Sequence, residues 1–510
     1  MPTYPVPSAL HFSGARDRFE ALLERVSSEE ALSLSHEDLE DLVEEDGRKV
    51  LRRIIQGHFD LRAAEEADRT APTSSDGVER PHRRRTSRPL QTIFGSTTVR
   101  RLSFTARGAK GGLRPLDAEL NLPVESYSLG LRRRVAGLAM DVSFDSTVAK
   151  VEDWTGTKVP KRQVEELVVR SARDFDAFYD HRQEGLLERD DARGEQGKLV
   201  VLSTDGKGIV MRRESLRKET RERAERQATK LQARLSSPRK KRNRKRMAEV
   251  ATVYELESRP RTVDDILPQD DTPRPSRPRP EGKRVWASID KPLREVVEGC
   301  FTEALARDPW LDRPWVYLVD GNPEQLQVAE EVAAYYGVEL VVIIDFIHVL
   351  EYLWKAAWCF FDKKDPEVEG WVLERSRRIL QGEASSVAAG IRRSATKRYL
   401  SAKSRKNVDK CAGYLLKHKD RLRYEQYLTA GLPIATGVIE GACRHLINDR
   451  LGITGARWGL EGAEAILRLR ALRSSGDLDE YWAFHRRREL ERNHLEHYAP
   501  NELTELREAA

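Results

Sequence analysis

Two aspartates in this chain follow apolar, β-prone segments and precede a glycine, an arrangement that can present metal ligands. Asp205 follows KLVVLST, and Asp320 follows PWVYLV. If the two segments are neighbouring strands of one sheet, each ending at its aspartate, both carboxylates project from it at a comparable depth. Two carboxylates at that distance repel each other unless a cation lies between them. Their hard oxygen atoms suit Mg²⁺ or Mn²⁺.

A third acid is needed to hold a second metal ion, and the segment LPIATGVIEGACRHLIND contains Glu440. Thr436 is expected to cap a helix there, which places Glu440 in the first or second turn. The apolar face of this helix comprises Ile439, Cys443, Leu446 and Ile447. Glu440 then lies at the edge of the buried face, where it can point towards the sheet. The alternative interpretation is that each of the three acids is a turn former or a surface residue.

The composition of the 510 residues is ordinary for a soluble protein of two or three domains. The N-terminus lacks a charged segment followed by an apolar one, so we expect no signal peptide. The longest apolar run, VELVVIIDFIHVLEYLW, is too short and too interrupted to span a bilayer. The four cysteines lie far apart without Cys-x-x-Cys spacing, which argues against a zinc ribbon or a disulfide scaffold and for a reducing cytoplasm.

Periodicity and composition divide the chain into segments. Residues 1–68 predict a helical region with Ser35 as an N-cap, residues 69–89 a linker, and residues 90–125 a small β-hairpin with a turn-rich end. The expected segments downstream are a helix-turn-helix domain over 126–180, the first part of an α/β core over 195–361 with a basic and Pro-rich insertion at 214–284, an all-α insertion over 362–430, C-terminal core helices over 431–490 and a tail over 491–510.

Residues 126–172 predict three short helices joined by tight turns, with Gly156 between the second and the third. In a helix-turn-helix unit, the last helix lies in the major groove of DNA. Here that helix would carry Lys161, Arg162 and Gln163 at its start, where base-edge contacts are usually made. A three-helix packing unit has the same apolar pattern and is the alternative.

A basic segment follows further along the chain. Seven of the eight residues from Arg239 to Arg246 are basic. Such a block is usually solvated, and it binds polyanions by releasing counterions. The candidate contacts to nucleic acid in this segment are Arg239, Lys240, Lys241 and Arg242.

The C-terminal segment TGVIEGACRHLINDRLGITGARWGLEGAEAILRLRALRSSGDLDEYW resembles the signature of the ISKra-type bacterial insertion-sequence transposases. The motifs STDGKG and YLVDGN are similar to the two aspartate motifs of that family, and the resemblance extends from about Thr92 to about residue 487. It implies a DDE transposase with a ribonuclease-H-like catalytic core, whose triad is Asp205, Asp320 and Glu440. Many members carry zinc-ribbon cysteine pairs before the helix-turn-helix. This chain has no cysteine before Cys300, so such a module is not expected.

A further motif resembles the wider Mutator-like and hAT-like transposases. The segment DFIHVLEYLW has Asp345 and His348 in Asp-x-x-His spacing. In those relatives the motif supports the active site and the DNA rather than ligating metal, which suggests an accessory role here. The alternative is a strand-end aspartate that caps the next helix, together with a packed histidine.

Several other residues are candidates for DNA contacts near the acids. Lys207 and Arg444 are candidates for phosphate contacts, and both could equally be surface charges. Arg457 and Trp458 lie in the segment GARWG, where the indole could stack on an unpaired base. A tryptophan beside glycines is more often part of a core. Gly206 and Gly208 are expected to leave room for a phosphate backbone.

The expected function is therefore DNA transposition with two Mg²⁺ or Mn²⁺ ions per active site. The expected partners are double-stranded DNA, at element ends and target, and at least one further copy of the chain. The expected location is the bacterial cytoplasm, at the nucleoid, without membrane attachment. The alternatives are a ribonuclease-H-like nuclease without strand transfer and a catalytically idle, transposase-derived DNA-binding protein. If Glu440 is not the third ligand, Glu461 and Glu464 come next.

Overall fold

The computed structural model describes residues 8–187, 198–228, 244–268, 278–362, 364–435 and 437–502. Contacts divide the chain into two compact units, which are Met1–Phe178 with Asp479–Ala510, and Tyr179–Leu478. The described ranges contain both helices and a mixed β-sheet, which agrees with the predicted α/β class. None of the helices in these ranges has the length and the apolar character needed to cross a bilayer.

The first unit contains helices and one β-hairpin. Its elements are α1 (Ser8–His11), α2 (Ser13–Val26), α3 (Glu29–Leu32), α4 (His36–Glu65), β1 (His82–Thr92), β2 (Gly95–Thr105), α5 (Pro115–Glu119), α6 (Leu129–Ala139), α7 (Phe144–Thr155) and α8 (Lys161–Ser171). Helix α9 (Phe175–Leu187) begins in this unit and ends in the second one. The predicted cap is present, because the side chain of Ser35 accepts a hydrogen bond from the backbone N–H of Asp38 at the start of α4.

The segment predicted as a linker is shorter than expected, because β1 begins at His82 and pairs with β2 in antiparallel register. The first residues of β1 are exposed arginines, and this composition is also typical of linkers. The segment forms a strand because it pairs with β2. Strand β2 is largely buried, and it supplies the backbone hydrogen bonds that hold β1.

The three short helices predicted between residues 126 and 172 are α6, α7 and α8. Gly156 ends α7 in the left-handed conformation with φ of 62°. The helices bury a common apolar cluster, which comprises Leu131, Val135, Val151, Val159, Val164 and Leu167. Burial of these side chains fixes the relative orientation of the three helices.

The second unit is built on a five-stranded sheet. Its elements are β3 (Lys198–Val210), α10 (Lys218–Ala228), β4 (Lys245–Glu257), α11 (Val263–Ile266), β5 (Glu281–Ser288), α12 (Leu293–Arg307), β6 (Trp315–Val319), α13 (Pro323–Tyr336), β7 (Leu340–Ile344) and α14 (Phe346–Ala357), followed by α15 (Glu367–Leu380), α16 (Ala384–Lys397), α17 (Lys406–Lys417), α18 (Tyr424–Thr429), α19 (Gly437–Ala442), α20 (Asp449–Leu451) and α21 (Leu460–Ser475). The last helix, α22 (Leu478–Asn493), lies almost entirely in the first unit.

The strand order of this sheet is β5-β4-β3-β6-β7. Strands β3, β4 and β5 are antiparallel neighbours, whereas β6 and β7 run parallel to β3. The central strand has Val200, Val201 and Leu202 without exposed surface. Helices α15 to α18 form the predicted all-α segment between β7 and α19.

The prediction that β3 ends at Asp205 is wrong, since the strand continues to Val210. Its parallel pairing with β6 stops at Ser203, but the antiparallel ladder with β4 runs through all thirteen residues. Asp205 therefore lies where β3 extends beyond its parallel neighbour.

The expected room at Gly206 and Gly208 is also taken up within the protein. A Cβ atom on Gly206 would lie 3.1 Å from the Cε atom of Met247, and one on Gly208 would lie 2.8 Å from the Cδ atom of Lys245. The side chains of β4 therefore cross the positions that the glycines leave open.

Candidate metal centre

Asp205 is held by Cys443, which lies three residues after Glu440, the predicted third acid. The thiol of Cys443 donates a hydrogen bond to Oδ2 of Asp205 over 3.2 Å, and Oδ1 accepts the N–H of Gly206 at 2.7 Å. Burial raises the pKa of the Cys443 thiol, and the charge of Asp205 raises it further. The thiol therefore stays protonated at neutral pH, which preserves its role as a hydrogen-bond donor.

Asp320 follows β6 directly, as the sequence predicted, and its turn is fixed from two sides. Its Oδ1 accepts the N–H of Asn322 at 2.8 Å. The hydroxyl of Tyr414, on α17 of the all-α segment, donates to its backbone carbonyl at 2.8 Å. The ring of Tyr414 stacks on Tyr352 with centroids 4.1 Å apart. The helical segment therefore positions one of the predicted metal ligands.

Asp345 follows β7 in the same way that Asp320 follows β6, and it is almost fully buried, with 1% of its surface exposed. Its backbone N–H donates to the carbonyl of Val319 at 2.9 Å, and its Oδ1 accepts the N–H of Ile347 at 2.7 Å. The alternative interpretation of Asp345 as a cap of α14 is thus confirmed. Capping occupies one oxygen atom and does not exclude a second role for the carboxylate.

Glu440 lies in the first turn of α19 and meets two residues of α14. One ligand atom each from Asp345, His348 and Glu440 lies within 4.8 Å of the other two. Glu440 is exposed, but partial desolvation by its neighbours raises its pKa, and the charge of Asp345 raises it further. Carboxylate oxygens and an imidazole nitrogen in one cluster can hold a divalent cation.

The predicted triad does not form an equally close group. Among the described residues, no cluster of three ligand atoms within 4.8 Å includes Asp205 or Asp320. The charge of Asp205 nevertheless contributes to the raised pKa of Glu440, so the two carboxylates interact electrostatically. Glu440 is therefore the residue that connects the predicted acids with the Asp-x-x-His motif.

Glu461 and Glu464, the alternatives to Glu440 as the third acid, have different surroundings. The carboxylate of Glu464 accepts hydrogen bonds from Ser288 at 3.0 Å and from the N–H of Ile289 at 2.9 Å. It holds the end of β5, and this structural role explains its position. Glu461 is exposed in the first turn of α21.

Glu249 was missed by the sequence reasoning. It lies on β4 opposite Gly206, and a Cβ atom on that glycine would be 3.5 Å from its Oε2. Burial raises the pKa of Glu249, and the charges of Glu324 and Asp205 raise it further. The signal in the sequence is an acid between the buried residues Ala248 and Val250, at a strand position where a polar side chain needs a partner.

Trp458 does not lie on the surface as base stacking requires, since only 5% of its area is exposed. Its Nε1 donates to the carbonyl of Leu451 at 3.2 Å, and the guanidinium of Arg450 covers its ring at 4.7 Å. Its backbone also pairs with the end of β3, because its N–H donates to the carbonyl of Val210 at 3.1 Å. The core interpretation of this tryptophan is correct.

The side chains of the other predicted DNA contacts near the acids are exposed or partly exposed to solvent. Arg457 is exposed, and the side chain of Arg444 is 73% exposed with Nε 3.8 Å from Asp449. Lys207 is partly exposed on the extension of β3. The contacts predicted at Arg239, Lys240, Lys241 and Arg242 lie outside the described residues, as does the cap predicted at Thr436.

In the first unit, the three residues predicted to contact DNA lie at the start of α8, and each of them contacts an acidic side chain. Lys161 Nζ lies 2.7 Å from Oδ2 of Asp145, and Arg162 Nε lies 3.0 Å from Oε1 of Glu166. Gln163 donates to the other oxygen of Glu166 at 3.0 Å. Lys161 and Arg162 are largely exposed, so their ion pairs are weak.

Strand β1 presents arginines that the sequence reasoning assigned to the linker. Arg84 and Arg85 are exposed, and neither forms an ion pair with a described residue. Arg85 also lines a cleft of about 830 Å³ beside α4. The signal in the sequence is the run HRRRTSRP, in which three consecutive arginines are followed by Thr86, a residue that is enriched in β-strands.

A second Asp–His–Glu cluster lies in the first unit, buried between α22 and the chain near α8. It consists of Asp174, His485 and Glu489. Arg132 Nη1 lies 2.7 Å from Glu489 and 3.1 Å from Nε2 of His485, while Arg492 Nη2 lies 2.8 Å from Asp174. The guanidinium groups already neutralise these carboxylates, so the cluster does not fit a metal ion.

Comparison with known proteins adds no family to these observations. No protein-family model matches the chain, and no curated protein matches it.

Proposed function

We propose that this protein is a DNA transposase with a ribonuclease-H-like catalytic core, in which Asp205, Asp320 and Glu440 are the metal-binding acids. The observation that carries the proposal is the position of the acids. Asp205 lies where β3 extends beyond its parallel pairing with β6, Asp320 directly follows β6, and Glu440 lies three residues before Cys443, whose thiol donates to Asp205. The order of these acids along the chain is the one that the resemblance to ISKra-type transposases implies.

The chemistry of the donor set supports a metal-dependent reaction. Asp205, Asp320 and Glu440 offer hard carboxylate oxygens, which divalent cations such as Mg²⁺ and Mn²⁺ prefer as ligands. When bound, two Mg²⁺ or Mn²⁺ ions stabilise both the attacking and the leaving oxygen of an in-line phosphoryl displacement. The first nucleophile is water, which frees a 3′-hydroxyl at the element end. The second nucleophile is that hydroxyl, which joins the element to target DNA.

Neighbouring side chains position the acids for this reaction. Cys443 donates to Asp205, and Tyr414 holds the backbone of Asp320. Both contacts restrict the acids before substrate binds, which lowers the cost of reaching the reactive geometry. Positively charged side chains near the site, including Arg444 and Arg457, serve the phosphate backbone of double-stranded DNA. Because two DNA ends are joined, we propose that at least two copies of the chain act together.

Strand transfer with DNA that carries the element's own ends tests the proposal. The assay compares the wild type with Asp205→Asn, Asp320→Asn and Glu440→Gln in Mg²⁺ or Mn²⁺, with Glu461→Gln as a matched surface control. Joined products from the wild type and the control, but from none of the other variants, support the transposase and its triad. Cleavage without joining favours the nuclease. DNA binding without metal-dependent chemistry favours the idle DNA-binding protein.

A further inference from the structure

The close group formed by Asp345, His348 and Glu440 has the geometry of an incomplete coordination sphere. Ligand atoms that lie about 2.1 Å from one ion are at most about 4.2 Å apart. The three ligand atoms of this group all lie within 4.8 Å of one another. Displacements of the three ligand atoms by less than about 1 Å, through small side-chain rotations, therefore bring all three into contact with a single cation.

The protein fixes two of the three side chains on one helix end. Asp345 caps α14 and His348 lies three residues later, so both side chains lie on the same face. The backbone of Asp345 is tied to β6 by its hydrogen bond to Val319. Residues on a rigid helix that is anchored to a sheet provide a preorganised site.

The third side chain comes from a different element and has more freedom. Glu440 is exposed, and within the described residues it forms no ion pair with lysine or arginine. A π-helical stretch, Cys443–Asn448, begins three residues later, and π-helical turns frequently occur at functional sites. Glu440 can thus close on a cation that Asp345 and His348 already contact.

The first unit offers an internal comparison, because Asp174, His485 and Glu489 are the same three residue types at similar separations. Two arginines complete that cluster and exclude a metal ion. Neither Glu440 nor His348 has such a partner among the described residues. Arginines therefore close the donor set of the first unit, whereas no arginine or lysine pairs with His348 or Glu440 in the described part of the second unit.

We infer that Asp345, His348 and Glu440 bind a divalent transition-metal ion, and Mn²⁺, which is also one of the ions of the proposed reaction, is the ion that tests it. An imidazole nitrogen is a poor ligand for Mg²⁺, whereas Mn²⁺ accepts carboxylates together with imidazole. The inference rests on the proposed function, in which Glu440 is the third catalytic acid. It deepens that function by assigning His348 as a metal ligand.

Pulsed electron paramagnetic resonance of Mn²⁺ bound to the full-length protein without DNA tests this inference directly. A coordinated imidazole produces a ¹⁴N modulation, and protein labelled with ¹⁵N-histidine changes its frequency without any mutation. We expect the modulation in the wild type. Its absence from Mn²⁺-loaded wild-type protein would overturn the inference.

Variants assign the signal to one histidine. His348→Gln is expected to remove the nitrogen modulation and to lower the affinity for Mn²⁺ at least about tenfold. Glu440→Gln is expected to lower the affinity and to keep the modulation. The matched control is His445→Gln, because His445 lies on the turn after Glu440 and contacts Asp449 at 3.0 Å. Loss of the modulation in the control alone would overturn the assignment.

The two proposals fail in different ways. Nitrogen-ligated Mn²⁺ without strand transfer would leave the metal site in place and contradict the transposase. Strand transfer by a wild-type protein whose Mn²⁺ shows no nitrogen ligand would leave the transposase in place and contradict the site.

Discussion

At the scale of single residues, Gly321 determines how Asp320 leaves the sheet. Its φ of 90° is strained for any residue with a side chain. A Cβ atom at this position would lie 3.0 Å from Nε2 of His418 and 3.2 Å from a ring carbon of Tyr414. Burial lowers the pKa of His418 to about 4, so a neutral ring packs here at physiological pH.

We expect Gly321→Ala to lower the free energy of unfolding by about 1–3 kcal/mol and to reduce strand transfer, because strain and contact displace Asp320 together. Gly337→Ala is the matched control, since Gly337 has φ of 69° but no atom within 4 Å of the added Cβ. We expect Gly337→Ala to lower the free energy of unfolding by only about 1 kcal/mol, the cost of a left-handed backbone for alanine, and to leave activity unchanged. Denaturant unfolding and the strand-transfer assay provide the two measurements. Equal effects of the two variants on activity would contradict the role of Gly321.

The residue scale also shows where sequence reasoning succeeds. The position of Asp320 directly after a strand was predicted correctly, because a short apolar strand and the turn residues Gly-Asn-Pro are local signals. The end of β3 was predicted wrongly, since Gly-Lys-Gly after Asp205 has the composition of a turn while β4 continues the ladder. The grouping of His348 with Glu440 depends on two helices that are distant in sequence, and no local pattern encodes it.

At the scale of elements, α12 is joined to β5 by a buried ion pair. Glu303 is paired with Arg284, and Arg307 Nη2 lies 2.6 Å from its Oε1. Burial alone would raise the pKa of Glu303, but the two guanidinium groups lower it to about 2. Because this value lies below the ordinary 4.5, the pair stabilises the folded state above pH 4.5. The stabilisation is lost as the pH falls from 4.5 to about 2.

We expect Glu303→Gln to lower the free energy of unfolding by about 3 kcal/mol at pH 7, because it leaves a buried guanidinium without its partner. The difference from the wild type should shrink as the pH falls from 4.5 to about 2. Glu298→Gln is the control on the same helix, since its pair with Arg294 is exposed and 3.7 Å long. Denaturant unfolding at a series of pH values measures the free energy of unfolding of both variants and of the wild type. A difference that does not depend on pH would contradict this assignment.

Strand β1 carries two exposed arginines, Arg84 and Arg85. On the proposed function, Arg84 and Arg85 contact DNA phosphates, because they are exposed without an ion pair among the described residues. Replacing both with alanine should weaken binding at all sequences and reduce the slope of log affinity against log salt by about 2. Arg100→Ala is the control on the same hairpin, since Arg100 is already paired with Asp60 at 2.5 Å. Fluorescence anisotropy at several salt concentrations measures the slopes, and an unchanged slope in the double variant would contradict the prediction.

At the scale of the whole molecule, the first unit depends on helix α22, which follows the second unit in sequence. Arg132 on α6 is 1% exposed, and Glu489 and His485 on α22 are among its partners. Since a guanidinium group only donates, Nε2 of His485 accepts and its Nδ1–H donates to Asp174 at 2.6 Å. Burial would raise the pKa of Asp174, but hydrogen bonds from His485 and Arg492 hold it well below its ordinary value.

We expect removal of residues 479–510 to destabilise the first unit, because Arg132 would remain buried without two of its partners, at a cost of about 3–5 kcal/mol. Limited proteolysis should then cleave within residues 8–178 of the truncated chain and not within the same residues of the full chain. The point variant Glu489→Gln tests the same contact without truncation and should show a smaller effect in the same direction. Equal protection of the two chains would contradict the prediction.

This division has a consequence for how a ribosome makes the protein. The chain leaves the first unit at Phe178, builds the whole second unit and returns only at Asp479. Domains that are continuous in sequence fold in the order in which they emerge. Here the order is reversed, because the unit that emerges first waits for α22 while the second unit already has all of its residues. Helix α8, which carries the predicted DNA contacts Lys161, Arg162 and Gln163, therefore gains its final stability only after the second unit has been synthesised.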